Sequence, residues 1–225
     1  DDYYDTNDLL MFDEISSMHN SNWNEFISIK PKEEYTLGEL FAGGGGLAVG
    51  FEKAGFKKTF LSEIDKNACK TLRHNRNDWN VIESDIKSVD FKEYHNKVDV
   101  VTGGFPCQAF SYAGKKLGFN DIRGTMFFEF ARVMQEVNPK IIVAENVKGL
   151  INHDNGNTLK TILNVIDELG YTILEKKLYQ MIFYKVPQKR ERIIIVAVRK
   201  DLANKLTFTQ PSVYNRIMTL NDAFY

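Results

Sequence analysis

Thr36-Leu37-Gly38-Glu39-Leu40-Phe41-Ala42-Gly43-Gly44-Gly45-Gly46-Leu47-Ala48-Val49-Gly50-Phe51-Glu52-Lys53 is the stretch that decides the fold. Thr36–Phe41 reads as a short strand and Leu47–Lys53 as a helix, joined by four consecutive glycines. One glycine suffices for a tight strand-to-helix turn. Four in a row point to a main chain that a ligand approaches closely. No Gly-Lys-Ser/Thr follows, which excludes a Walker phosphate loop, and no clear pyrophosphate-binding spacing supports a dinucleotide.

Outward from this loop the alternation continues. Further strands are expected at Thr59–Glu63, Asn80–Glu83, Asp99–Thr102, Lys140–Ala144, Tyr171–Leu178 and Arg192–Val198. Helices are expected at Lys66–Arg73, Met126–Glu136 and Leu159–Leu169. Strands alternating with helices predict an α/β fold, a doubly wound, mostly parallel sheet covered on both faces. Between Tyr171 and Val198 the pattern changes. Gln180–Lys189 leaves no room for a helix, so the last two strands form an antiparallel hairpin.

The organisation reads as an acidic extension over 1–34, a catalytic domain over 35–200, and a connection over 201–225 leading towards an absent domain. In the extension, Met11, Ile15 and Met18 fall at helical spacing. The 43% of hydrophobic residues fits a packed domain and excludes a disordered chain. No apolar run has the length of a membrane span. The net charge is −1, but residues 1–34 hold nine acids and two bases. The remainder, with 27 bases and 21 acids, carries +6, which permits a polyanionic partner without demanding one. Cys69 and Cys107 match no zinc spacing and form no disulfide framework, so no metal is expected and a reducing cytoplasm is the natural compartment. Cys69, in a helical stretch, reads as a small buried hydrophobe.

Two acids sharpen the ligand. Glu63 ends the second strand about twenty residues after the glycines, placed to accept from both hydroxyls of a ribose. Asp85, after the third strand, is placed to accept from an adenine amino group. Together they favour an adenosine site.

Chemistry points elsewhere. Cys107 follows the fourth strand in Gly103-Gly104-Phe105-Pro106-Cys107-Gln108, with Pro106 stiffening the chain before the thiol. A thiol is only a few per cent ionised near neutrality and needs activation, for which Lys115, Lys116 or a nearby arginine is available. Glu145, after the apolar run Ile141-Ile142-Val143-Ala144, is expected to be part-buried, and burial raises a carboxyl pKa. Gln188, Arg190 and Arg192 alternate, so they are expected on one face of the last strand. If that strand is antiparallel, both arginines lie near Cys107 and Glu145.

With these residues in place the chain resembles the DNA cytosine-C5 methyltransferases, of the bacterial restriction–modification type. The matching runs are Leu40–Gly46 with Gly50-Phe51, Gly104–Ser111, Arg123-Gly124-Thr125-Met126-Phe127, Glu145-Asn146-Val147 and Gln188-Lys189-Arg190-Glu191-Arg192, in the family's order over residues 36–200. The resemblance implies a Rossmann-like fold and S-adenosylmethionine as cofactor, held by Phe41, Gly43, Gly45, Gly46, Leu47, Glu63, Ile64, Asp85, Ile86 and Pro106. It implies that Cys107 attacks C6 of a cytosine flipped out of double-stranded DNA and that Glu145 contacts N3 and the amino group. Arg192 would meet the carbonyl, with Arg190 beside it. Glu39 and Met126 depart from the usual Asp and Leu. The target-recognition region is expected beyond this stretch, in a further segment or a second chain. The tRNA-methylating branch of the family, and a cofactor-binding half inactive alone, are the alternatives.

Overall fold

A computed structural model describes residues 34–106, 125–211, 213 and 219–221. Residues 1–33 of the acidic extension, Cys107, Lys115 and Lys116 lie outside them. Seven strands form one sheet: β1 (Thr36–Leu40), β2 (Lys57–Glu63), β3 (Val81–Glu83), β4 (Val100–Gly104), β5 (Ile141–Val147), β6 (Tyr171–Gln180) and β7 (Glu191–Arg199). The α-helices among the described residues are α1 (Gly46–Lys53), α2 (Lys66–Asn75), α3 (Met126–Val137) and α4 (Asn157–Glu168). These elements match the expected ones, with shifts of a few residues at their ends.

The strand order is β3-β2-β1-β4-β5-β7-β6. β1 pairs in parallel with β2 and β4, and β4 with β5. β7 runs antiparallel to β5, with Arg192 opposite Val147. The chain therefore builds β1 to β3 outward on one side, then returns to place β4 on the other side of β1. Such a reversal leaves a crevice at the carboxyl ends of the two central strands. Those ends carry the glycine loop after β1 and the segment entering Cys107 after β4.

Alternation along the strands supplies both faces of the sheet. Phe60 joins the larger core with Leu40, Val101, Phe127, Phe130, Ile162, Val165 and Ile195, whereas its neighbour Leu61 joins Ala42, Ala48, Leu72 and Trp79. In α3, Phe127, Phe130, Ala131, Met134 and Val137 are buried at helical spacing. Its start is capped by Thr125, whose Oγ1 accepts the Phe128 N–H at 3.0 Å, a bond of about 1 kcal/mol. Its end is Asn138 in the left-handed conformation. Asp65 caps α2 through the Ala68 N–H at 2.7 Å. Cys69 is fully buried, as a small hydrophobe should be.

The described residues fall into two compact units, 34–178 with 192–207, and 179–191 with 208 onward. In the second, the Met181 N–H donates to the Arg190 carbonyl at 2.8 Å and the Tyr179 and Tyr184 rings lie 5.5 Å apart. No helix among the described residues is long and apolar enough to cross a membrane.

Candidate active site

The glycine loop turns on two of its four glycines, Gly43 and Gly45, which have positive φ of +54° and +83°. Gly45 precedes α1 with φ +83°, and a Cβ there would stand 2.6 Å from Leu72 Cδ2 and 3.1 Å from Trp79. Gly44 and Gly46 have open space around that position. Trp79 is itself flanked by Lys58 Nζ at 5.1 Å and the Arg76 guanidinium at 5.8 Å, both tied to Glu52. Phe41, at φ +55°, is a bulky residue held in left-handed backbone just ahead of the loop. That conformation costs about 1–3 kcal/mol and persists where the surroundings over-determine it.

Glu63 closes the loop from β2. One oxygen accepts the Gly43 N–H at 2.7 Å, the other the Ile64 and Asp65 N–H groups at 2.8 Å each. Ile64, next in the chain, is 64% exposed, an apolar side chain kept in solvent beside these polar groups. Asp85 starts a short turn, Ile86–Ser88, and its carboxylate accepts the Lys87 N–H at 3.0 Å. Ile86 packs its side chain into the core, so it offers this edge main chain only. Leu47 is half-buried at the start of α1.

Glu39, the acid that departs from the family's Asp, is 2% exposed. The Ala48 N–H at the start of α1 favours its ionised form, against the burial. Its Oε2 has no hydrogen-bond partner among the described residues. Burial first, with the nearby Glu63 charge, raises its pKa to about 8. The carboxyl is therefore largely neutral at pH 7.

At the ends of β4 and β5 the arrangement differs. Glu145 Oε1 meets Arg192 Nε at 2.7 Å, both side chains 20% exposed. The expected part-burial of Glu145 and its approach to Arg192 are both present. Gly104, opposite Glu145 in the parallel register, leaves room for the carboxylate: a Cβ there would stand 2.7 Å from Glu145 Oε2. Asn146, buried, donates from Nδ2 to the Phe105 carbonyl at 2.8 Å and accepts the Val147 N–H at 2.9 Å. It thus grips the main chain two residues before Cys107. Phe105 is anchored against Phe127 and Phe130, at 5.1 and 5.5 Å between centroids, and Pro106 is exposed. The sequence reading gave Asn146 no role of its own, although its place between a carboxylate and a strand end was the available signal.

Gln188, Arg190 and Arg192 do not alternate along a strand, because β7 begins at Glu191. Pro187 has no N–H for a ladder, and the Gln188 N–H turns back to the Val186 carbonyl at 2.8 Å. Gln188 and Arg190 are exposed residues of the loop in the second unit, whereas Arg192 lies on β7.

Residues 35–224 match the family model for C-5 cytosine-specific DNA methylases. The chain is 58% identical over 221 residues to the type II methyltransferase M.Eco47II of Escherichia coli, covering 98% of this chain and 53% of that protein. It is 56% identical over 220 residues to the type II methyltransferase M.PspPI of Psychrobacter sp. (strain TA137), covering the same shares. The chain spans about half the length of these curated relatives. Among solved structures it resembles a prophage-encoded protein described as a DNA modification methyltransferase (E. coli), with TM-score 0.68 and 26% identity, over 85% of this chain and 55% of that one. It shares its fold with Spodoptera frugiperda DNMT2 at TM-score 0.62 and 23% identity, over 82% and 57%. The chain belongs to the C-5 cytosine-specific DNA methylase family.

Proposed function

We propose that this chain carries the cofactor-binding and reacting part of an enzyme that methylates C5 of cytosine in double-stranded DNA, with S-adenosylmethionine as donor. The observation that carries the reading is the Glu145–Arg192 pair at 2.7 Å, one residue from the asparagine that grips the approach to Cys107. A carboxyl and a guanidinium side by side match the edge of a pyrimidine, which presents N3, an amino group and a carbonyl.

The residues at the other end fit an adenosine. Ile64 offers an apolar surface for a base. Glu63, with about four lone-pair sites and three main-chain donors, has capacity for a ribose hydroxyl. Asp85 Oδ1 serves the Lys87 N–H, and the carboxylate retains acceptor capacity for an amino group. S-adenosylmethionine, when bound, supplies an electrophilic methyl group.

The chain's own residues then act on the base. A cytosine stacked in a duplex is inaccessible, so it is flipped out. The Cys107 thiolate forms a bond to C6, and Glu145, at N3 and the amino group, favours the negative charge that appears at C5. Arg192 holds the carbonyl. C5 takes the methyl group, a base removes the C5 proton, and the C6–sulfur bond breaks to return the thiolate.

Tritiated methyl transfer by the full chain to duplex DNA, with tRNA assayed in parallel, tests the reading. Duplex carrying 5-fluorocytosine, which has no C5 proton to lose, should trap a covalent adduct. Wild type should transfer and trap, and Cys107→Ser should do neither. Transfer that survives Cys107→Ser, or that prefers tRNA, would overturn it. The half-length coverage of the relatives favours a second reading, a cofactor-binding part that needs the remainder for turnover. Calorimetric cofactor binding by the chain without transfer would support that instead.

A further inference from the structure

One side chain ties α3 to the segment that carries Asp85. Arg132, on α3 and 20% exposed, donates from Nη2 to the Ile86 carbonyl at 2.7 Å and from Nη1 to the Val89 carbonyl at 3.2 Å. Its Nε meets Glu129 Oε2 at 2.8 Å and its Nη1 meets Glu136 Oε1 at 2.7 Å. The other Glu136 oxygen accepts the Phe91 N–H at 3.0 Å, and the guanidinium lies 6.0 Å from the Phe91 ring centre. Three main-chain groups between 86 and 91 therefore hang on one pair of side chains a helical turn apart.

Asp85 sits at the head of that segment. Its carbonyl accepts the Ser88 N–H at 2.9 Å and the Ser88 hydroxyl at 2.8 Å, while its carboxylate accepts the Lys87 N–H. The turn is closed on itself at its start and clamped by Arg132 at its end. Only a guanidinium can do this. Its five donors lie in a fixed planar fork that reaches two carbonyls and two carboxylates together, whereas an ammonium has three donors at one point. Burial alone would weaken the charge on Arg132, but its hydrogen bonds to Glu136 and Glu129 outweigh this and hold the guanidinium above its usual pKa.

We propose that Arg132 is a positioning residue for the adenine end of the cofactor site: it sets the 85–91 segment so that Asp85 can accept from the exocyclic amino group. The inference rests on the adenosine reading above and extends it to a residue on a helix outside the strand ends that carry Glu63 and Asp85. A merely structural clamp would lower stability without altering which base is preferred.

The test is calorimetric affinity of the full chain for S-adenosylhomocysteine and for S-inosylhomocysteine, in which an oxo group replaces the amino group. Wild type should prefer the adenine ligand. Arg132→Lys keeps a cation between the two glutamates and loses the fork, and should cut that preference about tenfold, the equivalent of one good hydrogen bond. Glu136→Gln, which removes the brace and keeps the shape, should reduce it less. If a wild type that discriminates is matched by both variants, the role of Arg132 is overturned and the cofactor site stands. A wild type that binds neither ligand would overturn the cofactor site and this inference with it.

Discussion

Glu63 and Glu145 occupy comparable places, each near the carboxyl end of a parallel strand, yet their surroundings differ in kind. Glu63 is surrounded by main-chain donors, two from the next two residues and one from Gly43. Glu145 meets a cation from the antiparallel strand and has its space cleared by Gly104 on the strand beside it. The proposed cofactor edge is thus shaped locally, by a carboxylate that stitches its own loop to the glycines. The proposed reacting edge is shaped by three strands at once. A change at the first should move ligand affinity, and a change at the second should move the chemical step.

The largest effect expected on that contrast is from Glu145→Gln. If Glu145 acts on the base as proposed, its loss should lower kcat about 10³-fold, leaving affinity for S-adenosylhomocysteine within about threefold. Single-turnover methyl transfer set beside calorimetry reads both, and equal losses in the two would erase the distinction between the edges.

Glu39→Gln probes the layer beneath the cofactor edge. In the unfolded chain this carboxyl ionises near 4.5, whereas in the fold it keeps its proton to about 8. Between those values the unfolded state has released a proton that the folded state retains, so the contribution to stability falls as pH rises through the window and levels off above it. Wild type should therefore lose about 3–5 kcal/mol relative to Glu39→Gln between pH 4.5 and pH 8, and nothing below pH 4.5. Urea unfolding of both proteins across this range measures it. Curves that stay parallel would show that the buried carboxyl ionises normally.

The smallest of the three is a pair of glycine substitutions. Gly104→Ala places a methyl 2.7 Å from the end of the Glu145 side chain. The carboxylate can yield, so stability should change little, but a displaced carboxylate should cost about 10²-fold in kcat. Gly44→Ala meets open space and should leave rates within about twofold. Melting temperatures and kcat for both variants decide it, and reversed effects would mean that the glycine loop, and not the β4 edge, sets the reacting geometry.

Much of the sheet was legible from Thr36 to Val198 because alternating short apolar runs and amphipathic helices encode a doubly wound fold directly. The antiparallel course of β7 was legible from the lack of any helix-length segment between 180 and 189. The glycine loop was legible as a loop, but not in its division of labour. That only Gly45 among its neighbours lies against Leu72 and Trp79 depends on where α2 packs. The alternation assigned to Gln188, Arg190 and Arg192 misled because Pro187 breaks the ladder before the strand begins.

Local pattern in the chain sets which residue types sit at which strand ends: glycines after β1, acids after β2 and β3, a thiol after β4 and a carboxylate in β5. Those assignments follow from local periodicity, which needs no partner. Which of these groups meet depends on packing in three dimensions, since hydrogen bonds and ion pairs act over a few ångströms and are blind to distance along the chain. The Glu145–Arg192 pair, the grip of Asn146 on Phe105, the buried neutral carboxyl of Glu39 and the Arg132 clamp all come from strand register and helix packing.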